Sequence, residues 1–225
     1  MAKHLNLEEQ EQLDELKHFW KQYGNLITWL LIAVMGAYAA WNGYQYWQNH
    51  QAGKASALFD EVERTAAMGE SARLERAWSD MKEKFPSTTF AAQSALLAAK
   101  SFQQTDKLDA AKTALTWVIE TSSDESFPQI ARLRLASLQI DAKAYEDASK
   151  TLSKPFTPAF AGLGADLQGD LALAQGRTKD AAPAYLQAWK QLQDNADYRR
   201  LVQAKLNALG VDPLAATTKS NEAAK

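Results

Sequence analysis

Apolar residues are distributed along this chain in two ways. From Leu26 to Trp41 no position is charged and Thr28 is the only frankly polar side chain. After Gln48, apolar positions instead recur three and four apart between charged ones, the spacing of helices with one buried face. The continuous run, extended by Gly43, Tyr44, Tyr46 and Trp47, approaches the roughly 20 residues a helix needs to cross a bilayer core. Tyr23 and Trp29 flank one edge of it, and the tyrosines and tryptophans flank the other. Such amphipathic rings suit a membrane–water boundary.

Three readings compete for this run. A buried core helix would be shorter and tied to neighbours. A cleaved signal peptide draws support from the small-x-small triplet Ala37-Tyr38-Ala39, with a soluble protein released after Ala39. Against cleavage, the preceding region is long and acidic, with Glu8, Glu9, Glu11, Asp14 and Glu15 against Lys3, Lys17 and Lys21. An uncleaved single-span anchor accounts for the pattern best. Basic residues near the two ends (Lys17 and Lys21, Lys54 and Arg64) are balanced, so the positive-inside rule decides little. A short tail on one side and the bulk of the chain on the other favours a cytoplasmic N-terminus.

Before the span, Leu13, Leu16 and Trp20 share one helical face. They predict a short helix near the membrane or a docking peptide for a cytoplasmic partner. After it, Ala55, Leu58, Phe59 and Val62 form the stripe of a helix over 48–68, with Gly53 as a possible bend and Gly69 as its stop.

From here the chain repeats. Leu74–Met81, Leu108–Leu115, Tyr145–Leu152 and Thr178–Tyr185 align without gaps on Ala77, Ala111, Ala148 and Ala181, at separations of 34, 37 and 33 residues. Twelve positions earlier stand Thr65, Ala99, Ala136 and Gly169, and four positions later Met81, Leu115, Leu152 and Tyr185. Two antiparallel helices approach closely only where small side chains meet at their crossing, and the bulkier residue then packs one turn along. A period near 34 with this pattern is that of the tetratricopeptide repeat, in a degenerate form. Pro86, the stretch Thr121–Asp124 with Pro128, and Lys154–Pro158 separate the units, and Gly176 turns the last pair. Pro183 is placed in the first turn of that pair's second helix, where an N–H has no intrahelical partner. Tyr198–Leu209 reads as a capping helix, with Leu201, Val202, Lys205, Leu206 and Leu209 facing inward. The fold class is therefore all-α: one N-terminal transmembrane helix followed by a helical-repeat solenoid. The divisions are 1–23, 24–47 (span), 48–210 (repeats) and 211–225 (a disordered tail).

Composition narrows the chemistry. A net charge of −2 over 225 residues gives no basic face for nucleic acid. There is no Cys, and His4, His18 and His50 all precede the repeats, so neither zinc ligand sets nor Ser-His or Cys-His pairs can be assembled there. Asp60/Glu61/Glu63 and Asp124/Glu125 read as solvated charge. Gly162-Leu-Gly164 lacks the Lys-Ser/Thr sequel of a phosphate-cradling loop. No enzyme, cofactor, metal or small-molecule site is expected. Trp78, Trp117 and Trp189 read first as core and second as groove lining. The first helices of stacked pairs commonly bind peptides, which makes Gln93, Lys100, Gln103, Arg132, Arg134, Gln139 and Gln168 candidate groove residues.

Glu9-Gln10, then Glu15-Leu16-Lys17, Trp20 and Gly24, then the span, then Tyr46-Trp47-Gln48-Asn49-His50-Gln51 resemble the N-terminal pattern of the YfgM family, ancillary to the SecYEG translocon. The resemblance extends through the degenerate tetratricopeptide repeats. It implies a single-pass protein of the bacterial inner membrane, N-terminus in the cytoplasm and repeats in the periplasm. It also implies association with the SecYEG translocon and a PpiD-like periplasmic chaperone, and assistance to newly exported polypeptides. The family offers no catalytic or ligand residues to carry over. A tetratricopeptide adaptor of another cell-envelope assembly complex would share the same anchor and fold.

Overall fold

The computed structural model describes residues 7–214, and among them every regular element is a helix. They fall into two compact units that divide between Gln51 and Ala52. The first unit is made by α1 (Leu7–Ala67), which continues into the second.

Within the first unit the apolar run lies bare: Leu26, Leu30, Leu31, Val34, Met35 and Tyr38 are all exposed. Among the described residues α1 alone is long and apolar enough to cross a membrane. Two polar side chains of the run, Thr28 and Asn42, turn back onto the helix. Thr28 Oγ1 donates to the Gly24 carbonyl (2.7 Å) and Asn42 Nδ2 to that of Tyr38 (2.9 Å), the arrangement hydrocarbon surroundings demand. The segment before the span is not the separate short helix expected. The α1 ladder runs unbroken through Gly24, where Trp20 covers the glycine, and through Gly53. No proline interrupts either stretch, and isolated glycines weaken a helix without ending it.

In the second unit helices pair in sequence. The 52–67 part of α1 precedes α2 (Ser71–Lys84). The next pairs are α3 (Thr89–Gln104) with α4 (Leu108–Thr121), and α5 (Ser126–Asp141) with the short α6 (Tyr145–Ser153). Then come α7 (Pro158–Ala174) with α8 (Thr178–Gln191), and the cap α9 (Ala196–Ala208). Each pair turns through one left-handed residue: Gly69, Asp106, Lys143 and Gly176, at φ of 68°, 59°, 60° and 74°. The next N–H reaches back to the carbonyls of Thr65, Phe102, Gln139 and Ala172, the hydrogen bond of a Schellman cap.

These four turns set the register, and they correct the alignment of the first repeat, 52–84. Aligned on its turn, Val62 stands with Ala99, Ala136 and Gly169, Leu74 with Ala111, Ala148 and Ala181, and Trp78 with Leu115, Leu152 and Tyr185. The sequence alignment on Thr65 and Ala77 is three residues out. A three-residue slip leaves a stripe on nearly the same helical face, and Thr65 and Ala77 are themselves 2% and 7% exposed. Burial alone therefore accepts both registers.

The core runs as a chain of clusters between successive helices, the arrangement of a stacked array. Trp78 and Trp189 are buried, and Trp117 meets Trp78 edge to face at 4.9 Å. Pro183 is the sixth residue of α8, inside the helix and not in its first turn. It removes one hydrogen bond to the carbonyl of Lys179, itself an exposed residue. In the cap, Val202 and Leu206 are buried as expected, but Leu201 is 50% exposed. Beyond 210, Val211 packs on the last cluster and Pro213 is fully buried. The rest of the tail expected to be disordered lies outside the described residues.

Candidate interaction surface

Successive first helices adjoin one another, α3 against α5 and α5 against α7, and Phe59 of α1 meets Phe90 of α3 at 5.6 Å. The residues one place after the crossing residues are Glu63, Lys100, Ser137 and Asp170, and the first two line this shared face. Between α1 and α3 the face opens into a cleft of about 340 Å³, lined by Glu63, Ala66, Ala67, Leu97, Lys100 and Gln104 with Ser101. Its floor is apolar and small, and its rim carries one charge of each sign.

The predicted groove residues divide. Gln93, Lys100 and Gln103 are exposed on α3, and Lys100 enters the cleft. Arg132 does not belong to any groove. It is 7% exposed, and its guanidinium donates to the carbonyls of Thr151, Lys154 and Pro155 while lying 4.1 Å over the Phe156 ring. Burial lowers its pKa without removing its charge. Arg134 donates to the Leu96 carbonyl (3.1 Å), Gln139 accepts from Thr151 Oγ1 (2.8 Å), and Gln168 donates to the Leu152 carbonyl (3.4 Å). These three tie neighbouring helices together. Periodicity marks which face a polar residue occupies, but not whether a carbonyl across the interface claims it.

The carboxylates read as solvated charge behave so: Glu61 pairs with Arg64 (2.9 Å), and Asp124 accepts from the Ser126 N–H (2.8 Å) at the start of α5. Gly162 and Gly164 are packing glycines. A Cβ on Gly162 would stand 2.7 Å from Leu192 Cγ, and one on Gly164 would enter the Phe156 ring. Among the described residues no group of three or more His, Cys, Asp or Glu is placed to hold a metal.

One buried polar cluster lies at the far end of the array. Asp166 and Asp170, one turn apart on α7, both receive Lys205 Nζ of α9 at 2.7–2.9 Å. Tyr198 donates to Asp166 (2.9 Å) and Tyr185 to Asp170 (2.6 Å). Asp166 is 1% exposed, and desolvation raises its pKa above the usual carboxylate value despite the lysine. Burial likewise raises both phenols, which stay protonated as donors. The signal in the sequence is an i,i+4 carboxylate pair on a helix with no other charged residue, with Lys205 facing inward from the cap.

The tetratricopeptide repeat-like domain family matches residues 17–211. The chain is similar to a Neisseria gonorrhoeae protein named ancillary SecYEG translocon subunit, at 30% identity over 93% of this chain and 100% of that relative. Proteins of the same name from Haemophilus influenzae and Escherichia coli are 28% and 27% identical. These cover 91% and 90% of this chain, and 98% and 97% of their own lengths. No solved structure matches it.

Proposed function

Because this chain belongs to the tetratricopeptide repeat-like family of the ancillary SecYEG translocon subunits, we propose that it serves the Sec translocon as a non-catalytic, single-pass accessory of the bacterial inner membrane. The observation that carries the reading is α1, one helix that supplies both the apolar span and the first helix of the repeat array. A site tethered in this way meets its partners at a raised effective concentration, so weak binding suffices. The proposed contacts are the translocon through the span, and a PpiD-like periplasmic chaperone and newly exported polypeptides through the first-helix face. The cleft supports that assignment, since small apolar floors with sparse charge fit unfolded or helical segments better than charged ligands.

Photo-crosslinking in membranes tests the reading. Probes at Val34 and Tyr38 are expected to capture translocon subunits, and probes at Lys100 and Gln104 a periplasmic chaperone or an exported chain. Capture of some other envelope complex at both sets would make the protein an adaptor elsewhere.

The proposed topology, N-terminus in the cytoplasm and repeats in the periplasm, has a clean assay because the chain contains no cysteine. Glu15→Cys and Gln193→Cys both introduce thiols at exposed positions. In cells with a permeabilised outer membrane, an impermeant maleimide is expected to label Gln193→Cys at once, and Glu15→Cys only after the inner membrane is lysed. The reverse pattern would overturn the orientation.

A further inference from the structure

The polar cluster at the end of the array has a charge imbalance built into its geometry. Two carboxylates share one ammonium, so with both ionised the cluster carries one uncompensated negative charge. The groups facing it are Asp166 and Asp170 from α7, Tyr185 from α8, and Tyr198 and Lys205 from α9. The two tyrosines donate hydrogen bonds but bring no charge. Arg199, the other half-buried cation of α9, is engaged elsewhere, 3.7 Å over the Trp189 ring. No second cation reaches the pair from these elements.

We infer that the Asp166–Asp170 pair is a proton-binding site that takes one proton from the medium as it acidifies, leaving a neutral cluster that fastens α9 more firmly to the end of the repeat array. Asp166, being almost wholly buried, is the member on which the proton rests in the folded chain.

The direction of the effect follows from linkage. Asp166 has its folded-state pKa raised above its unfolded value, so the folded chain holds the proton more tightly. The ionised form is a penalty, fully present above the folded pKa and relieved as pH falls from there towards the ordinary value of 3.8. This is opposite to a conventional ion-paired aspartate, which loses its contribution on acidification. One proton changes the unfolding equilibrium by at most about tenfold per pH unit within that window.

The test is the thermal unfolding midpoint of the full chain in a nonionic detergent, scanned from about pH 8 to about pH 4, with Asp166→Asn and Lys205→Met beside it. Asp166→Asn already carries the neutral group. It is expected to unfold at or above the parent midpoint at high pH, and the parent is expected to gain on it as pH falls. Lys205→Met strands both carboxylates, so its loss is expected to be largest at high pH and to shrink on acidification. A parent that loses ground to Asp166→Asn as pH falls would show an ordinary salt bridge and overturn the inference. A difference unchanged across the range, in either variant, would overturn it equally.

Discussion

Arg132→Ala is expected to release the 151–158 stretch from the rest of the repeat array. The helix it holds, α6, is only nine residues long and is stopped by Pro155, so its last carbonyls have neither intrahelical partners nor a following turn to take them. Arg132 reaches across from α5 and supplies donors to Thr151, Lys154 and Pro155 from one planar group, while its face covers Phe156. Charge-assisted hydrogen bonds of this kind contribute about 1.5–3 kcal/mol. The ring contact adds up to about 2 kcal/mol, and exposure of Lys154 and Pro155 to water reduces the total, so a loss of about 2–4 kcal/mol is expected. Hydrogen exchange should show the amides from Leu152 to Phe160 losing protection ahead of those in α3 and α4, and proteinase K should cut first in the same stretch. Arg132→Lys should rescue little, because a point charge on a flexible stem cannot span three carbonyls. Full rescue by lysine would mean that the positive charge matters and the fork does not.

Arg132 also marks where sequence reading reached its limit. The crossing residues Ala99, Ala111, Ala136, Ala148, Gly169 and Ala181 were legible because close helix packing imposes a size on them, and size is written in the residue type. By sequence Arg132 reads as a groove residue, because a charged residue on a first helix ordinarily faces water. What buries it is a set of carbonyls exposed by the early end of α6, and that end depends on Pro155, more than twenty positions away. The three-residue slip in the first repeat has a different cause. Helical periodicity cannot separate registers one turn apart, whereas the left-handed turn residue can: Gly69 lies eight residues before Ala77, while Asp106, Lys143 and Gly176 lie five before their alanines. Leu201 failed for the same reason of angular resolution, since it adjoins Val202 and only one of two consecutive residues can point fully at the core.

The fourth unit shows size compensation within a single crossing, and it gives the second large effect. Its crossing residue is Gly169, and the residue that packs one turn along is Tyr185, fully buried. A Cβ added to Gly169 would clash with the tyrosine ring at Cε1 and Cδ1. The ring cannot give way, because its hydroxyl is held by Asp170 at 2.6 Å and its face by the surrounding cluster. Gly169→Ala is therefore expected to destabilise the domain by about 1–3 kcal/mol through overpacking, although alanine is the better helix former. Tyr185→Leu alone should also lose about 1–3 kcal/mol, by emptying the ring's volume and removing a donor from Asp170. The double variant recreates the pairs Ala99/Leu115 and Ala136/Leu152 that the preceding units use, so the two losses should not add. A favourable coupling of about 1–2 kcal/mol is expected from a double-mutant cycle read by thermal unfolding. Strict additivity would show that the two residues do not share one crossing. The coupling should stop short of full recovery, because the leucine repairs the packing and leaves Asp170 one hydrogen bond poorer. That residual identifies what the glycine is for: it admits a ring long enough to carry a hydroxyl to the carboxylate that Lys205 also holds, which joins the last repeat to its cap.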